Sequence, residues 1–256
     1  MAGLFNRLRK PADAIVAPKI PDGQRVYCIG DIHGRADLLA QLHKMILSDA
    51  AGYRSTKTIV YLGDYIDRGE ESRRVIETLL SQPLPNWAAV HLLGNHEQAM
   101  LDFMQHPEAA AGWLSFGGRE TLLSYGIVLT HIPTMLDLPM LAGQLERKLP
   151  DSHLAFLHNC TESWRCGSYY FVHAGIRPGV ALDQQTREDQ LWIREEFLYS
   201  NANHGVIVVH GHSISQEVEQ RPNRIGIDTG AFATGVLTCL VLEADQQRLL
   251  QTMGMG

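Results

Sequence analysis

Five apolar runs in this chain end in a glycine set beside a carboxylate, an amide or an imidazole. The first closes on Gly30-Asp31-Ile32-His33-Gly34. The second closes on Gly63-Asp64, with Asp67 and Arg68 close behind, and the third on Gly94-Asn95-His96-Glu97. Two later runs close on His173-Ala174-Gly175 and His210-Gly211-His212. Each pair alone says little, because Asp-x-His is common and a histidine after a strand is usually a hydrogen-bonded turn residue. Together they offer oxygen and imidazole donors and no thiolate. That set suits a divalent cation such as manganese, iron or zinc, in a hydrolytic rather than a structural site. The glycines permit tight turns and close backbone approach to a cofactor. Six ligands drawn from these ends are too many for one open catalytic ion. They suit two, about 3.5–4 Å apart and sharing a carboxylate. Asp64 is the natural bridge, since its run is the middle one of the first three.

Groups spread from Asp31 to His212 converge only if the runs are strands whose carboxyl ends share one edge, where open α/β sheets bind ligands. The first hundred residues repeat such a plan. "RVYCIG", "TIVYLG" and "AAVHLLG" read as strands, each followed by a polar loop and a helical pattern. Leu38, Leu39, Leu42, Met45 and Ile46 show the three- and four-residue spacing of an apolar helix face. Strands alternating with helices predict crossovers and a parallel core. The stretch 105–166 breaks the rhythm and reads as several helices over or beside the sheet. In the last third, "SYYFVHAG", "GVIVVHGHS", "RIGIDTG" and "TGVLTCLVLEA" suggest a second, partly antiparallel sheet. The expectation is an α/β fold: a two-sheet β-sandwich flanked by helices, one domain over 25–256, with a helical insertion at about 105–166.

Bulk composition narrows the partners. The net charge of −6 and the pI near 6.0 leave no basic footprint for nucleic acid. No run of about 18 apolar residues exists to span a membrane. Residues 1–24 carry Arg7, Arg9 and Lys10 before an apolar stretch broken by Pro11 and Pro18, and read as a loose basic tail rather than a secretory signal. Cys28, Cys160, Cys166 and Cys239 form no C-x-x-C pair, which fits free thiols in a reducing cytoplasm.

"GDIHG", "GDYIDRG", "GNHE", "HAG" and "GHS", in this order over residues 30–213, resemble the phosphoprotein phosphatase family of the calcineurin-like metallophosphoesterases. "WLSFGGRETLLSYG", "HAGIRPG" and "LWIREEFL" bring the chain nearest to the bacterial and phage serine/threonine phosphatases. The resemblance implies a four-layer αββα sandwich. It implies Asp31, His33 and Asp64 at one metal, with Asp64, Asn95, His173 and His212 at the other, and a metal-bridging hydroxide that attacks phosphorus. Related diesterases often carry G-H-x-H; here Ser213-Ile214 follows His212, which favours a monoesterase. His210 is a rival to His212, expected to point into the sheet instead.

The resemblance also makes His96 the general acid to the leaving alkoxide, with Asp67 holding its imidazole. The plain alternative for Asp67 is a cap on the helix beginning near Glu70. Arg68 is a fork suited to phosphate oxygens; its alternative is a salt bridge to Glu70 or Glu71. Arg194 is the expected second phosphate arginine, with Arg177 and Arg35 as substitutes. Asp228 is either a supporting acid or a turn residue. Trp113, Phe116 and Tyr125 are expected to form a small core of the insertion, one face of which could shape a substrate groove. The implied cofactors are two divalent metal ions, manganese first, with iron or zinc as alternatives. The implied activity is a serine/threonine protein phosphatase whose range extends to tyrosine. The runner-up is a diadenosine-polyphosphate hydrolase, whose branch typically has Ala-Arg-Gly for Asp67-Arg68-Gly69 and aspartate for Glu97.

Overall fold

Strand β1 (Gln24–Ile29) serves two cores at once. In the computed structural model, which describes residues 18–54, 56–82 and 84–254, Tyr27 and Ile29 face helices while Val26 and Cys28 face a second sheet. Side chains alternate across a strand, so one continuous apolar run packs on both sides. After α1 (Ala36–Asp49) comes β2 (Thr56–Tyr61); after α2 (Ser72–Leu80) comes β3 (Ala88–His91). The three strands are parallel neighbours. Leu39 and Leu42 of α1 and Val75 and Ile76 of α2 cover the outer face with their apolar stripes. From β3 the chain enters α3 (Asn95–Gln105).

Three further helices follow: α4 (Gly118–Ser124), α5 (Leu138–Lys148) and α6 (Asp151–His158). They occupy most of 105–166, but the end of that stretch is not helical. It is β4 (Ser163–Cys166), which pairs with β5 (Tyr169–Val172). Helices α7 (Arg187–Trp192) and α8 (Glu195–Leu198) lead to β6 (Ile207–His210), β7 (Glu219–Arg221) and β8 (Arg224–Gly226). The short α9 (Ala231–Thr234) precedes β9 (Thr238–Glu243) and β10 (Gln246–Gln251).

The first sheet has the order β10-β9-β1-β2-β3 and the second β4-β5-β6-β8-β7. Between them Val26, Cys28 and Val60 meet Phe171, Val209 and Ile225. Tyr170, Val172 and Val208 turn outward onto Ile193 and Phe197 of the α7–α8 region. The result is helices, sheet, sheet, helices. In the second sheet β5, β6 and β8 are parallel, with antiparallel edge strands β4 and β7.

Two further expectations are corrected. "TGVLTCLVLEA" does not join the second sheet: β9 pairs antiparallel with β1, Ile29 opposite Cys239, and closes the first sheet as a hairpin with β10. Both faces of β9 are buried, which a continuous apolar run shows without saying which neighbour buries them. The tail expected over 1–24 is packed at its end, since Ile20 is fully buried and donates its N–H to Ala244 at 2.9 Å. Residues 1–17 lie outside the described residues. Among the described residues no helix is long and apolar enough to cross a membrane.

Candidate metal centre

The loops that leave β1, β2, β3, β5, β6 and β8 meet at one edge of the sandwich, and Asp64 lies at their centre. Its Oδ2 is 3.5 Å from His33 Nε2 and 3.7 Å from His96 Nε2. Its Oδ1 is 3.4 Å from His173 Nε2. Asn95 Oδ1 lies 2.9 Å from His173 Nε2 and 2.8 Å from His212 Nδ1. The donor atoms form two close groups, His33-Asp64-His96 and Asp64-His173-His212, which share the one carboxylate. Asp31 stands beside them rather than in either group, and its carboxylate accepts the His212 N–H at 3.0 Å.

The protonation states suit a cation. His33 Nδ1 donates to the Ile66 carbonyl and His173 Nδ1 to the Leu62 carbonyl, both at 2.9 Å, so each Nε2 keeps its lone pair toward Asp64. Burial holds these imidazoles neutral, lowering His173 and taking His33 down to about 3 and His212 to about 2. Burial, then the charges of Asp228 and Asp64, push the Asp31 carboxyl well above its ordinary value. Among the described residues, Nε2 of His33, Nε2 of His212 and Oδ2 of Asp228 are buried and find no hydrogen-bond partner. Native interiors rarely tolerate that. Neutral imidazoles, crowded carboxylates and orphaned lone pairs at one place fit divalent metal.

Glu97 builds much of this geometry. Its Oε2 accepts the N–H groups of Asp64 and Gly94, at 2.8 and 3.0 Å, and its Oε1 those of Tyr65 and Ile66, at 2.8 and 3.2 Å. The clamp holds a loop in which Asp64, Asp67 and Arg68 all have positive φ, at 49°, 71° and 65°. Such residues persist only where surrounding contacts over-determine them. Gly94 and Gly211 are needed for approach: a Cβ would overlap Asp64 at the first and Asp31 at the second.

Asp67 is buried behind His96, 2.7 Å from its Nδ1. Trp113 Nε1 donates to the same carboxylate at 2.8 Å and Thr121 Oγ1 at 2.6 Å. Burial raises the Asp67 carboxyl, against the pull of His96, Thr121 and Trp113. At His96 burial works against the imidazolium, but the charges of Asp64 and Asp67 outweigh it and raise the group above its ordinary value. Arg68 Nη2 is 3.2 Å from His96 Nε2, and among the described residues its guanidinium makes no pair with Glu70 or Glu71. Arg194 is exposed and acts through its charge on His173, His212 and Asp228. The rivals are engaged elsewhere, Arg177 by Asp189 and Glu196, and Arg35 by Asp37. His210 lies outside both donor groups, edge-on to Phe197 at 5.1 Å. Asp228 is 2% exposed beside the centre and accepts the Gly230 N–H at 3.0 Å.

Sequence reasoning missed Glu97, Trp113 and Thr121 as functional supports. For Glu97 a signal existed, an acid one turn into a helix directly after two candidate site residues. For Trp113 and Thr121 there was none, because they reach Asp67 from 46 and 54 residues away.

A family model described as calcineurin-like phosphoesterase matches residues 24–234. Serine/threonine-protein phosphatase 2 of Escherichia coli (strain K12) is 33% identical over 226 residues, 84% of this chain and 91% of that protein. The asymmetrical bis(5'-nucleosyl)-tetraphosphatase PrpE of Anoxybacillus flavithermus (strain DSM 21510 / WK1) is 24% identical over 237 residues, 83% of this chain and 88% of that one. Among solved structures, a putative diadenosine tetraphosphatase superposes with a TM-score of 0.63 at 20% identity, covering 94% of this chain and 100% of the other.

Proposed function

The chain belongs to the calcineurin-like phosphoesterases, and on that premise we propose that it is a two-metal phosphomonoesterase acting on phosphoserine and phosphothreonine in proteins, with a range that extends to phosphotyrosine. Divalent ions, manganese first, held by Asp31, His33 and Asp64 and by Asp64, Asn95, His173 and His212, would neutralise phosphoryl oxygens and acidify the attacking water. Arg68 and Arg194 hold the remaining phosphate oxygens and offset the charge that builds on them. His96 delivers a proton from Nε2 to the departing oxygen as the P–O ester bond breaks. Asp67 orients that imidazole, and Trp113 and Thr121 hold Asp67 in turn. The four cysteines are unpaired, which supports a cytoplasmic location. We infer a single catalytic domain whose packed part begins before residue 25, since Ile20 is fully buried.

The observation that carries the choice of substrate is the His96–Asp67 pair at 2.7 Å. A seryl or threonyl alkoxide leaves with a pKa far above neutral and needs a proton, which a positioned acid supplies for roughly a 10²–10⁴-fold gain. A nucleotide leaving from a dinucleoside polyphosphate departs as a stabilised anion and needs none. The two relatives reported above differ on this point, one a protein phosphatase by name and the other a nucleotide hydrolase. Manganese-loaded protein is expected to turn over a phosphoserine peptide with a higher kcat/KM than diadenosine tetraphosphate. A faster dinucleotide reaction would reverse the assignment.

A further inference from the structure

Three aromatic rings stand near-perpendicular to three different imidazoles of the centre. Phe116 lies 5.2 Å from His96, Phe232 5.6 Å from His33 and Trp192 6.3 Å from His212, between ring centroids. Phe116 and Phe232 line one cavity of about 610 Å³ together with Arg68, Leu114, Arg119 and Glu120. Arg68 joins the cavity to the reacting group. Its Nη2 is 3.2 Å from His96 Nε2, and its guanidinium carbon is 4.8 Å from the centre of the Phe232 ring. Trp192 lines a different cavity, with Arg194.

The direction of departure selects between the two cavities. With His96 as the proton donor, the ester oxygen faces His96. The group attached to that oxygen then extends to the side of Arg68 and Phe116, away from His212 and Trp192. A phosphate alone has no use for two half-buried phenyl rings there. A phenyl ring on the ester oxygen would pack against them.

We propose that Phe116 and Phe232 form a ring-binding cleft for the leaving group, which holds an aryl ester more tightly than an alkyl one. This rests on the phosphomonoesterase assignment, with His96 as the donor. Phe116 and Phe232 are then specificity residues for the group that departs.

Phenylphosphonate and methylphosphonate, neither of which is hydrolysed, test the cleft by calorimetric binding to the manganese-loaded protein. Phenylphosphonate is expected to bind about tenfold more tightly. Phe116→Leu and Phe232→Leu each bring the ratio down toward about two, and Phe116→Tyr, which keeps the ring, preserves it. A wild-type ratio near one overturns the proposal, as does a ratio that survives both leucine substitutions. Because no turnover is read, the result is separate from the comparison of phosphopeptide with dinucleotide. Faster dinucleotide hydrolysis would sink the protein phosphatase assignment while leaving the ring preference to be judged by the binding ratio.

Discussion

Nδ1 of His96 lies 2.7 Å from Oδ2 of Asp67, and that carboxylate also receives Trp113 and Thr121 from the helical segment beyond α3. The segment therefore reaches into the candidate site. It fixes the carboxylate that fixes the imidazole, so a substitution there is expected to be felt at His96.

Asp67→Asn keeps the shape and removes the charge that favours a protonated His96. The kcat for a phosphoserine peptide is expected to fall by roughly a hundredfold or more. For p-nitrophenyl phosphate, whose leaving group departs without a proton, the loss should stay under about tenfold. Equal losses on both substrates would mean that Asp67 serves the fold and not proton transfer.

The site was more legible in the sequence than the arrangement of the sheets. Its ligand candidates sit where apolar runs stop, next to glycines, and such punctuation can be read without knowing the partners. Strand order cannot be read that way. The run at Thr238–Glu243 is buried on both faces in either sheet, and its place beside β1 depends on an edge that only the folded sheet presents. The supports were hidden for a related reason. Trp113 and Thr121 have the composition of a small helical core, and Trp113 is indeed 1% exposed, yet each spends its one polar hydrogen on a distant aspartate.

Glu97 clamps the loop after β2 through the N–H groups of Asp64, Tyr65 and Ile66, and ties it to the start of α3 through that of Gly94. Glu97→Gln sets an amide N–H₂ against donors and removes an acceptor. Urea unfolding of the metal-free protein is expected to show a loss of roughly 2–4 kcal/mol. A change under about 0.5 kcal/mol, the range typical of surface sites, would contradict the clamp.

His43 offers a test by pH at a distance from the metal centre. Its Nε2 meets the Tyr61 hydroxyl at 2.9 Å, and burial pushes its pKa down from 6.5 to about 4. The folded state thus keeps it neutral while the unfolded chain takes up a proton below about 6.5. Stability is lost as the pH falls from 6.5 toward 4, where the folded state binds the proton too. Between pH 7 and pH 5 the loss from this group is about 2 kcal/mol. His91, also pushed down to about 4 by burial, acts in the same direction. His43→Gln can still hydrogen-bond the Tyr61 hydroxyl but does not titrate. Measured by urea midpoints in chelator, its loss over this range should be about 2 kcal/mol smaller than that of wild type. An identical pH dependence in both proteins would exclude His43 as a contributor.

The central claim is that one carboxylate, Asp64, serves two ions. Counting bound manganese per chain, by elemental analysis after equilibration and gel filtration, tests it most directly. Wild type is expected to hold about two equivalents. Asp64→Ala should hold fewer than about one, while His96→Ala, which loses turnover, should still hold about two. One equivalent in wild type, or two retained by Asp64→Ala, would contradict the account.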